Sequence, residues 1–201
     1  MRAAREATAG GSVVLHSAAI GPLVRAPGQD KRIWVRSTEK PEGEGTLVLP
    51  KLDQRPERLL TCIASSPGLA AVYLHKFGLD DEEGIGALIE AQFKEAGWSW
   101  HDVSTTNDCM VYTFDGKTIT DEKFELVSNV LRTHPKIMLD RVELRRGYAS
   151  IAVVGEGMCG NEEGEHPRTS FVFGVALGVL EQAGVLPVIA SMGASDVSFR
   201  I

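Results

Sequence analysis

The chain has 201 residues, 43% hydrophobic and 24% charged, a globular balance that excludes disordered and collagen-like classes. Twenty-one basic against 27 acidic residues give a formal charge of −6, which argues against a broad phosphate-binding surface and so against nucleic acid. No apolar run reaches the roughly 18–20 residues of a membrane span, and the N-terminus has no apolar signal core. The three cysteines, Cys62, Cys109 and Cys159, are too scattered for a disulfide framework or a metal knuckle. The expectation is a soluble, cytoplasmic protein without a membrane partner.

In chain order, residues 1–9 read as a helix that Gly10-Gly11 ends, followed by the apolar run Val13-Val14-Leu15. Ile33–Arg36 and Thr46–Leu49 read as strands around Pro41-Glu42-Gly43-Glu44-Gly45, which is turn chemistry. Few large apolar residues lie before residue 59, so this stretch is expected to lean on a partner segment. Leu69–Phe77 is then strand-like, and Ile85, Leu88, Ile89, Phe93 and Ala96 fall on one helical stripe closed by Gly97. Trp98–Val103 and Cys109–Phe114 read as strands, and Thr120 with Asp121-Glu122 opens a helix that stops before Pro135. Arg141–Leu144 and Tyr148–Val154 read as two further strands.

This order is βαββαβ, the ferredoxin-like pattern of an α+β fold. Its first four elements recur: Tyr148–Val154, the apolar helix Thr169–Ala183, Val185–Ile189, and Asp196–Ile201 after the polar loop Ala190–Ser195. Lys94-Glu95-Ala96-Gly97-Trp98 and Glu181-Gln182-Ala183-Gly184-Val185 mark matching helix ends, so the unit is repeated. The second helix is apolar on nearly every face, which predicts burial on more than one side. Gly174 and Gly178 would allow close helix approach, and a homodimer with this helix at or near the contact is expected.

Most catalytic signals dissolve on inspection. Gly155-Glu156-Gly157-Met158-Cys159-Gly160 has the spacing of a dinucleotide loop, but polar residues and Pro167 intervene before the next helix, so it reads as a loop. Glu162, Glu163, Glu165 and His166 read as a solvated loop, since no second His lies at helical spacing. No nucleophile elbow or Walker-type loop is present, and no metal, cofactor or catalytic residue is assigned.

One region suits a free amino acid. Asp80-Asp81-Glu82-Glu83 runs into Gly84-Ile85-Gly86, where the unpaired N–H groups of a helix start can hold a carboxylate. Asp81, Asp102 and Asn107 are candidates for the ammonium group, with His101, Thr105 and Thr106 lining the same edge. The alternative is that the acids simply cap the helix and stay in water.

Several phrases resemble the aspartokinase family. Gly11-Ser12-Val13-Val14-Leu15-His16-Ser17-Ala18-Ala19-Ile20 resembles a stretch near the end of its catalytic domain. Ile33-Trp34-Val35-Arg36-Ser37-Thr38, Pro41-Glu42 and Gly45-Thr46-Leu47-Val48 resemble the sequel. Ile151–Met158 and Ala190–Phe199 resemble phrases of the second of its paired ACT domains. His16-Ser17 replaces the usual His-Pro, and the phrase before the first ACT helix keeps its glycine but not its Lys-Pro.

The resemblance implies a remnant of the amino-acid-kinase domain over 1–58, a first ACT domain over 67–140, and a second made of 59–66 plus 141–201. The two ACT units are expected side by side, the first inserted in the second. It further implies amino-acid-sensing regulation, with lysine or threonine as effector, in an enzyme that phosphorylates the aspartate β-carboxylate with ATP and Mg in lysine, threonine and methionine biosynthesis. The implied partners are a second copy, paired through the ACT units, and a catalytic aspartokinase subunit. The phosphate-binding phrases of the kinase domain do not occur in these residues, so the chain is expected to bind and not to catalyse. A free-standing ACT-type interaction module without ligand is the alternative.

Overall fold

The computed structural model describes residues 2–11, 19–21, 32–49, 57–158, 168–192 and 198–201. Its elements are α1 (Arg2–Ala9), β1 (Ile33–Val35), β2 (Thr46–Val48), β3 (Cys62–His75), α2 (Ile85–Glu95), β4 (Trp100–Thr105), β5 (Cys109–Asp115), α3 (Asp121–Thr133), β6 (Arg141–Val154), α4 (Thr169–Gln182) and β7 (Ser198–Arg200). They fall into two compact units: a central one, Ser66–Ser150, and a split one made of Met1–Ser65 with Ile151–Ile201. The central unit thus spans 66–150, where 67–140 was expected for the first ACT domain.

The central unit is a βαββαβ fold with strand order β4-β5-β3-β6. β3 runs antiparallel to β5, with Val72 opposite Tyr112 and Leu74 opposite Met110. Alternation along β5 sends Met110, Tyr112 and Phe114 inward. They meet Ile85, Ile89 and Phe93 from α2 and Val127 and Leu131 from α3. Phe93 is the hub. Its ring lies 5.1 Å from both Tyr112 and Phe114 in edge-on geometry, and 5.8 Å from Trp98, arrangements that suit the aromatic quadrupole. Trp98 is buried with no hydrogen-bond partner for its Nε1. α3 starts as its sequence predicts, with the Thr120 hydroxyl accepting from the Lys123 N–H.

On the other face of this sheet, Arg145 lies over the Tyr73 ring at 4.4 Å and donates to Glu143 at 2.9 Å. Arg141 also pairs with Glu143, at 2.8 Å. These contacts hold the Glu143 carboxyl below its usual range, while burial first, then the Tyr148 hydroxyl at 3.4 Å, pushes Tyr73 up to about 12.

In the split unit the Thr61 N–H donates to the Val154 carbonyl, and β6 pairs with β7. Val153 and Phe199 point to α4, where Val172 completes a small core with Met158. Phe173 meets the Phe199 ring edge-on at 5.1 Å. Earlier in the chain, β1 and β2 form a short antiparallel ribbon.

Several sequence expectations need correction. β6 is one continuous strand over Arg141–Val154, not two. Residues 185–189 form no strand, and Leu186 stands exposed; a short apolar run becomes a strand only when a partner strand satisfies its backbone. Helix α4 is not buried on more than one side within this chain, since Phe171, Val175 and Val179 are exposed. Val13-Val14-Leu15, Cys159 and the acidic loop through His166 lie outside the described residues.

Candidate effector site

At the C-terminal end of β3, three connections of the central unit are tied together by backbone donors. The Lys76 N–H donates to the Asp108 carbonyl at 3.1 Å, and the Gly78 N–H to the Asp108 carboxylate at 2.8 Å. The Phe77 N–H donates to the Asp140 carboxylate at 3.1 Å, while the Asp140 N–H returns a bond to the His75 carbonyl at 2.9 Å. Lys76 adds side-chain links, with Nζ 2.7 Å from the Ile137 carbonyl and 2.5 Å from the Glu82 carboxylate. The β3–α2 loop, the β4–β5 turn and the α3–β6 loop therefore form one platform. On it the Phe77 ring is 88% exposed.

α2 begins directly beyond this platform. Gly84 takes the N-cap position at φ 80°, where a side chain is strained, and no side chain caps the helix. The acids do not cap it: Glu82 engages Lys76, and Asp81 and Glu83 stand exposed. Of the expected carboxylate donors, the Ile85 N–H already donates to the Glu82 carbonyl at 3.2 Å, so that donor is committed. The Ile85 side chain is buried in the core. Gly86 lies beside Met110, whose Cε would sit 3.9 Å from an added Cβ.

Met110 pairs with Thr105, which brings the last residue of β4 to the helix start. Thr106 follows, with its N–H and hydroxyl both donating to the Cys109 carbonyl, and Asn107 is exposed in the turn. Thus Asp81, Gly84, Gly86, Thr105, Thr106 and Asn107 gather at one end of the unit. Asp102 sits three residues back along β4, roughly 10 Å away at the usual strand rise, with its N–H donating to the Thr113 hydroxyl. His101, beside it, is exposed.

Sequence reading missed Lys76, Asp108 and Asp140, which hold the platform together. The turn Asn107-Asp108 does carry a local signal, since Asx side chains accept backbone N–H groups in turns; nothing local points to Lys76 or Asp140. Among the described residues no cluster of His, Cys, Asp or Glu could hold a metal ion, and no helix is long and apolar enough to cross a membrane.

The fold has known parallels. No protein-family model matches the chain. In sequence it is 27% identical over 158 residues to aspartokinase 3 of Bacillus subtilis, covering 78% of this chain and 33% of that one. It therefore spans about a third of the curated relative's length. In fold it resembles the aspartate kinase of Clostridium acetobutylicum, with a TM-score of 0.82 at 21% identity over 99% of this chain and 43% of the other. Escherichia coli aspartokinase III, solved with lysine and aspartate in a T-state, gives 0.68 at 23% identity over 97% and 41%. The regulatory subunit of aspartate kinase from Thermus flavus gives 0.54 at 20% identity over 71% and 87%. In sequence the chain is thus similar to aspartokinase 3, and in fold to part of the aspartate kinases and to the regulatory subunit of one of them.

Proposed function

We propose that the chain is an amino-acid-sensing module that regulates aspartate phosphorylation and has no catalysis of its own. The observation that carries this reading is the platform beside an uncapped helix start. Backbone N–H groups at Gly84 and Gly86 suit a carboxylate, and Asp81 and Asn107 suit an ammonium group, with Thr105 and Thr106 beside them. Lysine or threonine is the effector in this reading. Asp102 and His101 contribute through the strand that leads into the site. The chain pairs with a second copy through its ACT-like units and acts on a catalytic aspartokinase subunit or domain, which supplies ATP and Mg chemistry.

Calorimetric titration with lysine, threonine and methionine tests this. Saturable binding of one of them is expected, weakened about tenfold or more in Asp81→Ala and Asn107→Ala, because each removes a charge-assisted contact. Unchanged affinity in both variants, or no binding to the unmodified chain, would remove the site. Aspartyl phosphate formation that scales with this chain alone would refute the absence of catalysis.

A second reading is a ligand-free interaction module, favoured by the exposed Phe171, Val175 and Val179 of α4. It is separated from the first by the same titrations.

A further inference from the structure

Strands β4 and β5 of the central unit do not pair evenly. Trp100 lies opposite Phe114 and Val103 opposite Tyr112, so His101 and Asp102 together face the single residue Thr113. Two residues against one make a β-bulge, a feature that re-aims side chains at sheet edges, and β4 is an edge strand. The Thr113 side chain closes this bulge. Its hydroxyl accepts from the Asp102 N–H at 3.1 Å and donates to the Asp102 carbonyl at 3.4 Å, so one side chain engages both backbone groups of Asp102.

The bulge decides which residues of β4 face the helices. Directly opposed residues share a face of the sheet, and Phe114, Tyr112 and Met110 all point into the core. Trp100 lies on that side, with its ring edge-on to Tyr112 at 5.9 Å. From Trp100, even alternation would send Asp102 and Ser104 inward, setting a carboxylate against an aromatic core. The bulge shifts the phase by one residue, and Val103 and Thr105 take those places, opposite Tyr112 and Met110. Thr105 thereby shares a face with Met110, whose Cε lies 3.9 Å from where a Cβ would stand on Gly86.

We propose that Thr113 is a positioning residue of the effector end: by closing the bulge, its hydroxyl fixes the phase of β4 that turns Thr105 to the side of α2 and keeps Asp102 off the core side. Thr113 acts through the β4 backbone and not by contact with the amino acid. This role rests on the reading above, in which Thr105 lines an amino-acid site.

Amide exchange followed by NMR, on the full chain with no amino acid added, tests the bulge independently of effector binding. Thr113→Val keeps the side-chain shape and removes the hydroxyl. Exchange at Asp102 should rise about tenfold, the effect of one lost hydrogen bond, and the Val103–Tyr112 and Thr105–Met110 cross-strand contacts should weaken. The Trp98 amide, bonded to the Phe93 carbonyl at 2.8 Å, should keep its rate. Thr113→Ser, which retains the hydroxyl, should match the unmodified chain. Calorimetric titration with lysine, threonine and methionine should then show about tenfold weaker binding in Thr113→Val and restored binding in Thr113→Ser. Unchanged exchange and contacts in Thr113→Val would overturn the role of the hydroxyl. Raised exchange with unchanged affinity, or an affinity that Thr113→Ser fails to restore, would overturn the positioning of the site. If the unmodified chain binds none of these amino acids, the effector reading fails instead, and the exchange contrast at Asp102 between Thr113→Val and Thr113→Ser still decides the bulge.

Discussion

The central unit lays two helices over one face of its sheet and closes them on Phe93, Trp98, Tyr112 and Phe114. The split unit instead puts a helix against each face. Val153 and Phe199 meet α4, while the neighbouring Ala152 and Ser198 meet α1. Both units descend from a similar run of strands and helices, but one is held by large rings and the other by missing side chains. Ring packing tolerates small shifts, because many dispersion contacts share the load. Close backbone approach does not, because a single Cβ has nowhere to go.

The widest gap is expected in core truncation. Phe93→Ala removes contacts with three aromatic rings and should cost about 3–5 kcal/mol of unfolding free energy. Phe199→Ala has one ring partner, Phe173, and should fall at or below the lower end of that range. Denaturant unfolding of both variants measures this, and equal losses would erase the distinction between the two cores.

Within the split unit, glycine substitution should separate close approach from open space. Gly157→Ala forces a Cβ against the Arg58 backbone and should cost about 1–3 kcal/mol. Gly178→Ala, in α4, meets nothing within 4 Å and should gain up to about 1 kcal/mol from helix propensity alone. Thermal melts moving in the same direction for both would contradict the close approach at Gly157.

Helix caps give a smaller contrast. Thr120→Ala should cost about 1 kcal/mol by orphaning the Lys123 N–H. Arg168→Ala, at a helix start without a side-chain cap, should leave the melting temperature where it is. A matching fall in both would mean that the Thr120 bond is not what starts α3.

The smallest effect is a pH slope from the central unit. An unfolded tyrosine ionises near pH 10, whereas Tyr73 stays protonated until about 12. Between those values the folded state binds more protons, so stability falls as pH rises. Tyr73→Phe should flatten the slope in that window, as followed by tyrosinate absorbance and denaturant midpoints. A slope of unchanged steepness would place the responsible group elsewhere.

Much of the central unit was legible before folding was considered. The stripe Ile85, Ile89, Phe93 and the alternation Met110, Tyr112, Phe114 are local patterns, and each face ended up where its period sends it. The effector end was only half legible. The acids before α2 are conspicuous, yet Glu82 turns to Lys76, and the residues that fix the loop, Asp108 and Asp140, come from other connections. The repeat misled over residues 185–189, because similarity to the first copy carries no information about whether a neighbouring strand is in reach.

Sequence alone thus determined the two helices of the central unit, the inward alternation of β5, the Thr120 cap, and the resemblance to aspartokinase. All of these depend on residues within a turn or two of one another. Tertiary structure decided why Gly155 and Gly157 are glycines, what α1 packs against, and which carboxylates pin the β3–α2 loop. Each of those depends on a meeting between residues far apart in the chain, and the free energy of such a meeting is set by the space and the unpaired groups that the fold leaves, neither of which is written in local order.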